Sequence, residues 1–414
     1  MRIVHFSTTA CAGGPYCLVS VLRKHSDLDV RLIDLKRWNR YPHDIVYEEQ
    51  KEEALELTAK ADVIHFHNYY DQYSRFFTGI DFKALKRKGI SFICQFSSEP
   101  NTIALNAKTT ISEVLSYDIA SVVIAQFQER FFPQARIVPN AIPSSEPLYR
   151  ASNKEMKYDI LYSPTNNVEA WKSRWNTKGY PETLQIMNKL KNKENCRIKI
   201  ISGKPVEDVL QEKQKARIVL DDMVTGSYHL SGLEALCQAK AVMGYLDQRT
   251  CTVLREITGS TKIPFVNVRL ENAYDVLRYL VNDHHFTTEI GDEGRKWIDR
   301  FWSEKIIADH FVDVYNKLVE DPSLIKRQRT LKIENNYEKY YSITLPDLIY
   351  EARAKNYYAA LSTVDKLSCY KTILSNRLKK KKKHYSGTIK IMAYRILPKP
   401  VVSLLKNIDS YLSR

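Results

Sequence analysis

Four short stretches of the chain combine residue types suited to holding anions and sugar hydroxyls. The first is STTACAGG, where Gly13 and Gly14 precede a helical pattern. Glycines there let backbone N–H groups approach an anion at a helix N-terminus. The stretch is not G-x-G-x-x-G, and a plain tight turn explains it as well. The second is DVIHFHNYYD (62–71), with His65 inside an apolar strand pattern and His67 and Asn68 at its C-terminal end. His65 reads as a packed core residue. His67 is a candidate acceptor-binding group or proton relay, with Asn68 beside it.

The third stretch, SPTNNVEAWKSRWNTKGYPETL (163–184), places Arg174, Lys178 and Gly179 just ahead of a helix. A guanidinium fork and an ammonium on such a loop suit a diphosphate, although a solvated surface role fits both residues too. The fourth is ARIVLDDMVTGSYHLSGLEALCQAKAVMGYLD (216–247). It has Asp221 and Asp222 at a strand end, Gly226, Ser227 and Tyr228 in a loop, and Glu234 on the next helix. A carboxylate there can accept two ribose hydroxyl protons, and pairing with the helix N-terminus explains it equally. IISG (200–203) ends another strand at Gly203.

The elements that must position these residues alternate strand and helix. Strands are expected at 2–6, 29–34, 62–66, 90–96, 119–125 and 135–139, with a helix at 48–61. PNAIPSSEP (139–147) reads as a linker. The alternation then restarts, with strands at 158–164, 196–203, 217–223 and 242–246. Helices are expected at 180–193, 205–216, 232–241, 272–282, 290–301 and 303–319. Such spacing implies parallel strands joined by right-handed crossovers. The fold class is α/β, with two doubly wound domains facing across a cleft where strand C-termini meet.

In this order the pieces resemble a GT-B glycosyltransferase of the family 4, or group 1, type. The matching stretches are the N-terminal strand with its AGG loop, DVIHFHN, IVPNAIP (137–143), ILYSPTN (160–166) followed by KG (178–179), IISG, and TGSYHLSGLEALCQAKAV (225–242), together covering roughly residues 1–320. The resemblance implies residues 1–147 as an acceptor-side Rossmann-like domain and 148–321 as a nucleotide-sugar-binding one, whose last helix packs back on the first. It implies Lys178, with Arg174, on the donor diphosphate, Glu234 on the donor ribose, and His67 and Asn68 facing the transferred sugar or acceptor. Gly13, Gly14, Gly179, Gly203, Gly226, Ser227 and Tyr228 complete the expected donor site, and His67, Lys178 and Glu234 the expected catalytic set. The donor would be a UDP- or GDP-sugar, with retention of configuration, no cofactor and no active-site metal. The chain departs from the family's E-x7-E pattern, because Gly226 stands where the first Glu is expected. Asp222 is a candidate substitute, and a catalytically inactive homologue serving as a binding or scaffold subunit is the alternative reading.

Net charge sharpens the picture. The 414 residues carry a formal +15, and residues 322–414 hold 20 Lys and Arg against 6 Asp and Glu, a balance of +14 that leaves +1 for residues 1–321. The extension has helical periodicity at 345–367, five lysines from Lys379 to Lys383, and apolar residues among basic ones up to Arg414. It reads as a basic, mostly helical extension whose residues 379–414 bind an anionic membrane surface, a protein partner or solvent. Nothing resembles a sequence-specific nucleic-acid motif. Seven cysteines without a CxxC pair fit reduced thiols. No apolar run spans a membrane, so the expectation is a cytoplasmic protein, peripheral to the membrane's inner face, in surface polysaccharide or glycolipid synthesis.

Overall fold

In the computed structural model, the described residues are 1–152, 155–164 and 178–325. The expected extension from residue 326 onward, Arg174 included with residues 165–177, lies outside them. The first sheet has seven strands, β1 (Arg2–Ser7), β2 (Asp29–Asp34), β3 (Ile45–Val46), β4 (Val63–His67), β5 (Ser91–Phe96), β6 (Ala120–Ile124) and β7 (Arg136–Val138), in the order β3-β2-β1-β4-β5-β6-β7. All its pairings are parallel. The second has five, β8 (Tyr158–Tyr162), β9 (Ile198–Ile200), β10 (Ala216–Leu220), β11 (Ala241–Gly244) and β12 (Val266–Asn267), in the order β12-β11-β10-β8-β9, again parallel. These are two doubly wound, Rossmann-like sheets, the architecture the GT-B resemblance implies.

The strands form where both faces are covered. Ile3, Val4, His5 and Phe6 are fully buried, as are Val63, Ile64, His65 and Phe66 beside them. Continuous burial of this kind is what a central parallel strand requires. Helices α1 (Gly14–His25), α2 (Lys51–Ala59), α3 (Phe82–Arg87), α4 (Pro100–Ala107) and α5 (Ile111–Leu115) serve the first sheet. The second has α6 (Tyr180–Glu194), α7 (Val206–Lys213), α8 (Leu230–Cys237), α9 (Gln248–Thr258), α10 (Leu270–Asn282) and α11 (His284–Phe301).

Strand order reverses beside β1 in the first sheet and beside β8 in the second. At such switch points the loops leaving neighbouring strands diverge and open a crevice at the strands' C-terminal ends. The AGG loop leaves β1, and the segments holding Ser163 and Asp221 leave β8 and β10. Topology alone therefore brings the candidate residues toward the two crevices.

Several bonds join the lobes. Arg249 makes a two-pronged ion pair with Glu129 at 2.7 and 2.8 Å, and Arg130 pairs with Asp247 at 2.9 Å, all four side chains being buried. The Trp302 indole donates to the Asn140 carbonyl at 2.9 Å. The last long helix, α12 (Glu304–Glu320), returns to the first sheet, where Arg136 pairs with Asp313 at 2.6 Å.

Candidate functional site

The two crevices meet in a cleft of about 240 Å³. From the first sheet it is lined by Cys11, Ala12 and Gly14 of the AGG loop, by Gln95 near the end of β5 and Ser97 and Ser98 beyond it, and by Gln126 after β6. The second sheet contributes His229 and Leu230 at the start of α8, and α12 contributes Phe311. Asn68 braces this wall. Its side-chain amide donates to Cys11 Sγ at 3.1 Å and to Ser98 Oγ at 3.2 Å, and its carbonyl accepts from the Ser97 N–H at 2.6 Å. Cys11 and Ala12 have positive φ, so the loop turns sharply into α1, with Gly13 as its N-cap.

The second wall has a core of buried ions. Lys178 is 5% exposed, with Nζ 3.7 Å from Asp221 and 3.4 Å from the Ser163 carbonyl oxygen. Burial lowers the Lys178 pKa, and Asp221 opposes that shift. Burial also raises the Asp221 pKa, and Lys178 opposes it. Each charge is thus kept largely by the other. The other oxygen of Asp221 accepts the His229 backbone N–H at 2.7 Å, so this ion pair lies directly beneath the cleft wall. Next to it, Lys213 is fully buried and pairs with Glu234, while donating to Ser231 Oγ at 2.8 Å. Ser231 in turn bonds Ser163 Oγ at 2.9 Å.

Glycine is required at two positions here. Gly179 has φ +61°, and a Cβ on it would come within 2.2 Å of Val224. Gly226 has φ +85°, and its Cβ would lie 2.9 Å from Asp247 Oδ2. Asp247 caps α9 through the Thr250 N–H and holds Arg130. A glutamate at 226 would displace that cap, so packing accounts for the departure from E-x7-E. Asp222 does not fill the gap. It is fully buried and its oxygens accept from Val224 N–H, Thr225 N–H and the Thr225 hydroxyl, with the His229 ring at 3.2 Å. It clamps the loop.

Other expected site residues have different surroundings from those the sequence suggested. His67 is 1% exposed and does not itself line the cleft, although its register partner Gln95 does. The cause is the period of two along a strand, which puts residues 65 and 67 on one face. Their rings stack, with centroids 4.7 Å apart, and His67 Nε2 shares a hydrogen bond of 3.0 Å with His5 Nδ1. Tyr315 of α12 reaches the same cluster, 2.8 Å from His65. Burial lowers the pKa of all three histidines, that of His67 to about 3. The ring nitrogens of His5, His65 and His67 lie within 4.8 Å of one another, and His65 Nε2 and His67 Nδ1 have no hydrogen-bond partner among the described residues. Tyr228 is buried, and its hydroxyl donates to the Ala125 carbonyl of the first lobe at 2.6 Å, making it a bolt between lobes. Ser227 is fully buried with no partner for its hydroxyl among the described residues. Gly203 faces the Arg40 guanidinium. Gly14, Lys178 and Glu234 lie in or behind the cleft wall.

Two contributors were missed. His229 lines the cleft, held between Asp222 and the Lys178–Asp221 pair; its signal was a histidine directly before a helix that follows two aspartates. Lys213 lies in VEDVLQEK, which reads as a solvated helix end, and only tertiary packing reveals its burial.

No protein-family model and no curated protein matches the chain. Solved structures do resemble it. A sucrose-phosphate synthase from Thermosynechococcus elongatus is 12% identical, with 77% of this chain and 100% of that one covered and a TM-score of 0.48. Anabaena HepE in complex with UDP is also 12% identical over 77% and 100% of the two chains, at 0.47. A glycosyltransferase from Rickettsia africae is 12% identical over 77% and 99%, at 0.47. At such identities and TM-scores the likeness carries no inference about chemistry.

Proposed function

We propose that the chain is a glycosyltransferase that moves a sugar from a nucleoside diphosphate sugar to a hydroxyl of a glycan or lipid-linked acceptor. The observation that carries this reading is the contrast across the cleft. Behind one wall lies a buried cation, Lys178, on a glycine turn at a sheet's switch point. The facing wall offers hydroxyls and amides. The first suits a departing diphosphate, the second a sugar ring.

The barrier to such a transfer is loss of the diphosphate while positive charge develops on the sugar. Fixed positive charge aimed at the leaving group lowers it. In this reading Lys178, with Arg174, meets the diphosphate, and the loop at Ser227 adds N–H groups. Glu234, steadied by Lys213, accepts the ribose hydroxyls. The family resemblance adds retention of configuration and a UDP- or GDP-sugar as donor. The test is sugar-transfer and donor-hydrolysis rates for the full chain against Lys178→Ala and Glu234→Ala. Both variants should be slowed, and an unchanged rate removes that residue from the mechanism.

We also propose that the basic extension holds the enzyme at an anionic inner membrane face, where a lipid-linked acceptor for surface polysaccharide or glycolipid synthesis would be met. The support is its charge of +14 over 93 residues. Clustered lysines near an anionic surface contribute about 1 kcal/mol each. No helix among the described residues is long and apolar enough to cross a membrane. Anionic vesicles should float the full chain, and flotation should fall when residues 379–414 are removed. Equal flotation of both forms excludes the role of the tail.

A further inference from the structure

We propose that the cleft between the two sheets accepts an uncharged, hydroxyl-rich sugar ring and discriminates against sugars bearing a carboxylate. This rests on the reading of the chain as a nucleotide-sugar transferase, and names the class of sugar it handles.

Three observations lead here. First, the described residues lining the cleft include no Asp, Glu, Lys or Arg. Their hydrogen-bonding side chains are chiefly Gln95, Ser97, Ser98, Gln126, Asn140 and His229. The two titratable members are neutral, because burial raises the Cys11 thiol pKa and lowers that of His229. Second, Gln126 is 7% exposed, and its side-chain nitrogen has no hydrogen-bond partner among the described residues. A buried amide donor without a partner is unfavourable unless a ligand oxygen satisfies it. Third, the ions nearest the cleft are already committed. Lys213 holds Glu234, Arg130 holds Asp247, and Lys178, beside Asp221, is the cation this reading assigns to the diphosphate.

A hydroxyl both donates and accepts, as do the amides and serines of this wall. A carboxylate only accepts, and entering the cleft would strip its water without supplying a cation. Sites built from neutral polar groups therefore separate the two classes by the charge left unpaired, a form of rejection as much as of attraction. The same logic makes position 126 a control point, since a cation there would supply the missing partner.

The experiment is titration calorimetry of the full chain with UDP-glucose against UDP-glucuronate and GDP-mannose against GDP-mannuronate, with UDP and GDP as references. For the base that binds, the neutral sugar nucleotide should be tighter than its acid by roughly 10- to 100-fold. Gln126→Lys should narrow or reverse that ratio. Gln126→Leu should weaken the neutral sugar nucleotide about tenfold and leave the free nucleotide unchanged. Equal or tighter binding of the acid by the native chain overturns the proposal. So does a ratio that ignores both substitutions. If neither UDP, GDP nor any sugar nucleotide binds, the nucleotide-sugar reading itself fails. The cleft is then judged by saturation-transfer NMR with methyl glucoside and glucuronate. A signal from the glucoside alone supports the proposal, and any other result overturns it.

Discussion

The two lobes bury their titratable groups in opposite ways. In the first, His5, His65 and His67 lie together with Tyr315, and burial is the largest influence on each histidine, lowering its pKa. No carboxylate pairs with them among the described residues, and Arg23 acts in the same direction on His5. The cluster is neutral and serves to seat α12 on the sheet. In the second lobe, two lysines face two carboxylates at equal depth, Lys178 with Asp221 and Lys213 with Glu234. A neutral cluster needs no counter-ion, even where, as here, His65 Nε2 and His67 Nδ1 have no hydrogen-bond partner among the described residues. A charged one can exchange a partner for a charged ligand. In the proposed reading, this difference separates the lobe that anchors from the lobe that meets the diphosphate.

The comparison is broken most severely by removing one ion of a closed pair. Lys213→Ala leaves Glu234 buried without its cation and should cost roughly 3–5 kcal/mol of stability, measured by urea unfolding. Replacing the pair together, Lys213→Met with Glu234→Leu, should recover most of that loss while ribose-dependent binding stays impaired. A small cost for the single variant would mean that the pair is not the closed unit described.

Lys178→Ala, which likewise leaves Asp221 without its cation, should act on rate as well as on stability. Loss of one preorganised positive group facing a leaving phosphate slows chemistry by about 100- to 1000-fold. Single-turnover kinetics would read it, and a change in KM alone would mean that Lys178 holds substrate and transition state equally.

Acid should weaken the first lobe before the second. The histidines titrate near 6.5 when exposed, and His67 falls to about 3 in the fold. Below pH 6.5 the unfolded chain gains protons that the folded cluster refuses. The stability is therefore full above pH 6.5 and is lost progressively from there down to about pH 3. Each such proton costs up to about 1.4 kcal/mol per pH unit. The urea midpoint should fall across this window, and His67→Asn should shallow the slope by about one proton. An unchanged slope would mean that His67 is protonated in the native state.

The smallest expected effect is that of Tyr228→Phe, which removes one inter-lobe hydrogen bond and should cost about 1 kcal/mol. It separates bolt from binding group. A loss of donor affinity larger than the loss of stability would place the hydroxyl on the ligand.

Much of this fold was legible in the chain. RIVHF and DVIHF read as strands because a parallel sheet covered on both faces leaves them no polar positions except the histidines. Ile45–Val46 and Val266–Asn267 escaped because two-residue strands carry no period. Gln248–Thr258 escaped because its threonines and arginines make it polar on average, although its apolar residues do fall on one face. For the site, Lys178, Gly179 and Glu234 were singled out through the family resemblance, and the structure adds only their surroundings, a buried ion pair for each charge and a glycine turn. His67 was placed in the cleft because its position at a strand end was weighed above its alternation with His65. Tyr228 and Lys213 depend on partners 103 and 21 residues away, which no local pattern encodes.

The central claim is that Lys178, kept charged beside Asp221, receives the diphosphate of a sugar nucleotide. Calorimetric titration of UDP- and GDP-sugars into the native chain and Lys178→Ala tests it directly. The account predicts binding by the native chain that weakens at least about tenfold in the variant, the loss expected for one charged hydrogen bond. Equal affinity in the two proteins would contradict it.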